Sequence, residues 1–289
     1  VTKLTAILVL TVAGSVAARA DFSYTMTMKT AGGMTAVPGG SSDHVFIKGD
    51  KLRIDHGNTA TILDLSTQTS IQINNTQKTY SVAPFGQFAA GAGQVDVDMK
   101  IDVQETGQHK TIGGYNCHEV IMTMDVDSPQ MQQMGGAKMH MTMDFWVSPD
   151  VPGYQEMRAL YQRMASGPGW AALTHGGGQG MQKAMADIQK KMAGINGVPV
   201  LQVMKMSMPG NSPQAAQMQA GMAQARARLE AMKAQGGEQA KAAERALAAM
   251  GGGSGGNLME MNIESSGFST ATIPASEFAP PAEYRKTGN

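Results

Sequence analysis

The sequence predicts an α+β fold, on three observations. Apolar and polar residues alternate from Phe22 to about residue 148, the period of half-buried strands. Helical spacing takes over near 153–193 and again within 213–250. Strand period then returns twice, in GVPVLQVMKMSM (197–208) and in LMEMNIESSGFST.

The first strand puts Phe22, Tyr24, Met26 and Met28 on one face. HVFIKGDKLRID, TILDLS and TSIQINNTQKTYSV read as short strands broken at Gly49-Asp50, Ser66-Thr67 and Asn74-Asn75. These are residues that tolerate or hydrogen-bond tight turns. Val95, Val97, Met99, Ile101 and Val103 alternate with Gln94, Asp96, Asp98, Lys100 and Asp102, an apolar-in, polar-out strand. A sheet of consecutive antiparallel strands follows, eight to eleven in all by this reading, above the usual sheet size.

Helices are expected where Met157, Leu160, Tyr161 and Met164, then Met181, Met185, Ile188 and Met192, recur at helical spacing. Within 213–250, Met218, Met222, Ala225, Leu229 and Met232 step by four and three, and Gly236-Gly237 would break the stretch. That describes a helical hairpin inserted near 209–256, between two strands, with a lid or a partner-binding arm as its functional version.

The chain has 289 residues, 42% hydrophobic and 16% charged, enough for one sizeable core. Its formal net charge is zero, so no basic stripe invites nucleic acid or an anionic membrane surface. Residues 1–20 read as a cleavable export signal: Lys3, an apolar run, then Ala18-Arg19-Ala20 before Asp21. The run is too short and too weakly flanked for a transmembrane span. The expectation is a single domain over 21–289, periplasmic or secreted. No cysteine stands at the end of the signal for lipid attachment, and the lone Cys117 reads as a small buried filler.

Catalytic signatures are thin, and no enzyme is expected. Gly252-Gly253-Ser254-Gly255-Gly256 matches the serine-hydrolase elbow as text, but it lies in a glycine linker, not between a strand and a helix. His44, His56, His109, His118, His140 and His175 show no zinc-ligand spacing. No phosphate-binding loop occurs, and no cofactor is implied.

Methionine is the strong signal, with 25 residues against 5% aromatics. It recurs at alternate positions as Met26/Met28, Met122/Met124, Met139/Met141/Met143, Met204/Met206/Met208 and Met259/Met261. In a strand, residues i and i+2 point the same way, roughly 6.6–6.8 Å apart. Five such strands imply one sheet surface lined with thioethers. Methionine fills irregular gaps and re-packs around varied guests, which suits a lipid or other hydrophobic molecule. Thioethers are also soft ligands for Cu(I). Against a local copper motif, His140 and Trp146 have opposite parity to Met139, Met141 and Met143, and the sulfurs cover a broad surface.

ETGQHKTIGGYNCHEV (105–120) and DFWVSPDVPG (144–153) resemble a family of exported bacterial proteins known only as a domain of unknown function. That family is similar to the lipoprotein-carrier (LolA/LolB-like) fold. Three pieces bear the resemblance. Phe46, Lys48, Gly49, Asp50, Lys51 and Arg53 lead to Asp64 and Tyr80; Ile112, Gly114, Tyr115 and Cys117 precede Trp146-Val147-Ser148; Phe278, Pro281 and Tyr284 follow. The resemblance implies a curved antiparallel half-barrel whose concave face is covered by helices, with lipophilic ligands held between the two.

The expected function is therefore non-covalent binding of a lipid or other hydrophobic ligand by an exported protein. Phe22, Tyr24, Met26, Met28, Met122, Met124, Met139, Met141, Met143, Met204, Met206, Met208, Met259 and Met261 would line the site. Two other readings stand beside it. One is a copper-binding protein working through its M-x-M strands; the other is a ligand-free structural protein with an envelope partner on the helical insertion.

Overall fold

A computed structural model describes residues 21–31, 40–85, 98–127, 139–166, 194–207, 213–234 and 257–287, with single helical positions between 187 and 191 and between 237 and 247. The expected export signal, Val95, Val97 and Met208 lie outside the described residues.

Among the described residues, twelve strands form one sheet. They are β1 (Phe22–Ala31), β2 (Ser41–Lys48), β3 (Lys51–His56), β4 (Thr59–Asp64), β5 (Thr69–Asn74) and β6 (Thr79–Pro84). Then come β7 (Asp98–Ile112), β8 (Tyr115–Asp127), β9 (Met139–Ser148), β10 (Val198–Ser207), β11 (Asn257–Ser269) and the short β12 (Arg285–Lys286). Their order across the sheet is β12-β6-β5-β4-β3-β2-β1-β11-β10-β9-β8-β7. Two meanders, β1–β6 and β7–β11, thus run outward from a seam between β1 and β11. All neighbours are antiparallel except β12, which lies parallel to β6 and makes the sheet mixed.

The turns explain the hairpins. Lys48 pairs with Lys51 and His56 with Thr59, leaving the two-residue loops Gly49-Asp50 and Gly57-Asn58, each opened by a positive-φ glycine. Asp64 accepts the Ser66 and Thr67 amides, and Asn74 accepts the Gln77 amide, closing the next two turns. Between β7 and β8, Gly113 and Gly114 both take positive φ, the requirement of the tight turn that matches strand twist.

The expected α+β half-barrel under a helical cover is not what forms. The molecule is mostly β, and among the described residues its sheet is open at both edges, β12 and β7. Helix α1 (Tyr154–Ser166) buries Tyr154, Met157 and Leu160 in the main core with Phe22, Tyr24, Val45 and Ile47. The expected inserted hairpin is also corrected. Its continuous helix is α2 (Pro213–Ala234), and every described side chain on it is exposed except the half-buried Leu229. The methionine and alanine spacing there marks helix propensity, since Ala225 and Met232 of the supposed stripe are exposed. Among the described residues no helix is long and apolar enough to cross a membrane.

The charged residues of the early strands have structural work. Lys48 reaches Asp21 at 2.6 Å and the Ile273 carbonyl at 2.9 Å, while the Ile273 amide donates to Asp21 at 2.7 Å. Arg53 holds Asp55 at 2.6 Å together with the Glu277 carbonyl and carboxylate at 2.6 and 3.2 Å. These bonds lay the segment carrying Ile273 and Phe278 over Ala60, Ile62 and Ile73, on the opposite face from α1. Asp50 pairs with Arg163 of α1 at 2.7 Å, and Lys51 with Asp64 at 3.3 Å.

Candidate functional site

Strand register settles where the methionines go. Met122 stands opposite Met143, Met143 opposite Met204, and Met204 opposite Met261. One step along the strands, Met124, Met141, Met206 and Met259 form a second row by the same pairings. Eight methionines on four neighbouring strands therefore occupy two adjacent rows of one face. Met122 is buried and the other seven are half-buried. Met139 continues this face opposite Val126, and Met26 and Met28 bring it across the seam opposite Ser265 and Ile263.

The opposite face is polar. His140 contacts Asp125 at 2.6 Å and Thr142 at 3.3 Å, and Lys110 lies 3.5 Å over the Trp146 ring. On that face Asp144 is raised above the usual carboxylate range, by burial first and then by the Glu119 charge. Cys117 is fully buried in the main core, and burial pushes its thiol up, as expected of an inert filler. Among the described residues no three His, Cys, Asp or Glu side chains gather as a metal site.

Next to the methionine rows on their own face, a cavity of about 430 Å³ opens between α1 and the sheet. The sheet contributes Tyr24, Met26, Phe145, Val147, Gln202 and Ser265, and the helix contributes Tyr154, Met157, Arg158, Tyr161 and Gln162. Ile188, Ile195 and the Gly197–Pro199 stretch complete the wall. Its size suits a small apolar ligand, and its walls are largely apolar with a few polar groups among them. The Tyr24 and Tyr161 hydroxyls face each other closely enough to influence one another's ionisation. Burial holds the Tyr24 phenol far above its ordinary range, with Tyr161 adding to the effect; burial also raises Tyr161. Tyr161 is half exposed as a residue, yet its hydroxyl is the desolvated end that meets Tyr24. Both phenols therefore stay neutral near pH 7.

Gly153 sets the helix over this wall. Its φ is +83°, and a Cβ there would stand 2.1 Å from the Phe22 ring. Tyr154, the next residue, donates from its hydroxyl to Asn196 at 2.7 Å and so ties the helix start to the wall before β10.

Of the residues expected to line a site, Tyr24 and Met26 reach the cavity. Phe22 instead lies in the core, fully buried and stacked on Tyr24 at 5.3 Å and Phe268 at 6.1 Å. The other described candidates extend the methionine face beside the cavity. Phe145, Val147, Gln202 and the α1 residues were missed as liners. The helical spacing that includes Met157 and Tyr161 was their signal, but only the register shows which face α1 covers.

The fold and site define a mostly-β protein with an apolar cavity under one helix and a methionine-rich sheet face. The chain belongs to the family described as domain of unknown function (DUF4412), whose model matches residues 22–208. The match spans β1 to β10; α2 and β11 follow it. A search of curated proteins finds no match. Among solved structures, PNGF-II is similar over 45% of this chain at 10% identity, in a P21 and a C2 crystal form. The TM-scores are 0.23 and 0.22, and the matched part is 22% and 21% of those chains, about a fifth of their length. A likeness that slight supports no argument.

Proposed function

We propose that this protein is an exported, non-catalytic binder of a lipid or other hydrophobic small molecule, held in the cavity between α1 and the sheet. The observation behind the reading is that cavity itself: about 430 Å³, walled by Met26, Phe145, Val147, Met157 and Ile195. Affinity comes from apolar surface leaving water, about 25 cal/mol per Å² before the costs of association. Arg158 and the neutral Tyr24–Tyr161 pair offer polar contacts to one end of an amphiphile.

The test is a native mass spectrum of the full chain before and after organic extraction, followed by uptake of offered fatty acids and phospholipids. A lipid-sized mass that extraction removes, or uptake cut at least tenfold by the cavity-filling Ile195→Trp, supports the reading. A ligand-free spectrum with no uptake rejects it and favours the purely structural alternative.

A further inference from the structure

The methionine rows lie outside the cavity wall and have a chemistry of their own. Directly opposite residues on antiparallel strands have Cβ atoms roughly 4.5–5.5 Å apart. Successive residues on the same face of a strand are roughly 6.6–6.8 Å apart. Met141 and Met143 of β9 and Met204 and Met206 of β10 therefore mark the corners of a small rectangle. Its centre lies roughly 4 Å from each Cβ. A methionine side chain turns about three bonds, so four thioether sulfurs can converge over that point.

Core filling accounts for only part of this pattern: Met122 is buried with Ile101, Val120, Phe145 and Val147, and Met124 and Met143 pack against them, whereas Met141, Met204, Met206, Met259 and Met261 join no core cluster among the described residues. The main core places one methionine, Met157, among thirteen buried residues, and the core beneath the Ile273 segment has none. One step along the same face, the row opposite Phe145 is Val120, Phe145, Gln202 and Ile263. Methionine then fills all eight positions of the next two rows. Seven of the eight remain half-buried, and of the central four only Met143 packs against a core cluster.

We infer that these rows form a binding site for a soft monovalent cation, Cu(I) or Ag(I), centred on Met141, Met143, Met204 and Met206. Thioethers are soft donors that suit such ions over magnesium or calcium. A thioether has no proton to lose. Binding therefore persists on acidification, whereas a site built from histidine or cysteine weakens as its ligands protonate. This distinguishes the rows from the His109–His118 pair on β7 and β8, whose ring centres lie 6.3 Å apart.

The test titrates Ag(I) into the full chain, without an affinity tag and with ¹³C-labelled methionine methyl groups. The expected result is that methyl signals of the two rows shift together, at pH 7 and equally at pH 5. The double variant Met143→Leu/Met204→Leu keeps the volume of the face and should bind Ag(I) at least tenfold more weakly. Met232→Leu, an exposed methionine on α2, should change nothing. Signal mapping on the unaltered chain decides the matter if the double variant fails to fold. The inference is overturned if the row signals do not move, if binding collapses at pH 5, or if the double variant holds Ag(I) as tightly as the parent. None of these outcomes depends on whether the cavity binds a lipid.

Discussion

The two halves of the sheet are built from different material. From β2 to β6 the strands are six to eight residues long and joined by two- or four-residue turns. Their outer core is Ala60, Ile62 and Ile73 under Ile273 and Phe278, fastened by Lys48 and Arg53. From β7 to β11 the strands run from ten to fifteen residues, and their shared face is rich in methionine and half-buried. One half uses charge to tie down a distant segment over branched aliphatic residues. The other presents a soft, adaptable surface with a cavity beside it. The fastening and the proposed binding are thus lodged in separate parts of one sheet.

The sharpest way to break this division is where α1 meets the sheet. Gly153→Ala adds a Cβ 2.1 Å from the Phe22 ring and demands positive φ of an L residue. The expected loss is about 3 kcal/mol or more, read as a lower urea midpoint, together with loss of ligand uptake as α1 lifts from the cavity. Next, Arg53→Ala cuts the fastening of the β2–β6 half and leaves Asp55 without its guanidinium partner. The side chain is 15% exposed, so part of its charge is screened, and the cost is about 2 kcal/mol. Hydrogen exchange should rise around Ile273–Phe278 while the methionine face stays protected; equal loosening of both halves would contradict the division.

The smallest effect sharpens the comparison from the polar side of the β7–β11 half. The folded pKa of Asp144 lies above its unfolded value, so its ionised form is disfavoured in the fold. Stability from this group is greatest at low pH and falls as pH rises from the unfolded value of about 3.9 through the folded one. Asp144→Asn should therefore raise Tm by about 1–2 °C at pH 7 and by almost nothing at pH 3.5. Calorimetry at the two pH values checks it. A gain of the same size at both would mean the titration has no part in it.

Local features were legible in the sequence and distant ones were not. Gly49-Asp50 and the β9 parity that parts His140 from Met141 follow from turn chemistry and a two-residue period. Which methionine faces which does not, because register is a contact between residues far apart in the chain. The placement of Phe22 failed for a related reason. Its alternation with Tyr24 is real, but Gly153 and Phe268 close over it from other elements. Helical cover was over-read because α2 has helix propensity while its described side chains are nearly all exposed, Ala225 and Met232 among them. Two charged residues of the family resemblance, Lys48 and Arg53, proved to be fasteners, a role set by partners more than 200 positions away.

Strand β11 has a consequence for the order of folding. It joins the two meanders by pairing with β1 on one side and β10 on the other, in contacts as remote as Thr25 with Ser266. Each meander can zip locally from its turns, but β1 and β10 stay bare edges until β11 arrives. Closure is therefore late and slow. Until it occurs, the nascent chain holds two open strand edges for a chaperone, or for another copy of itself, to seize.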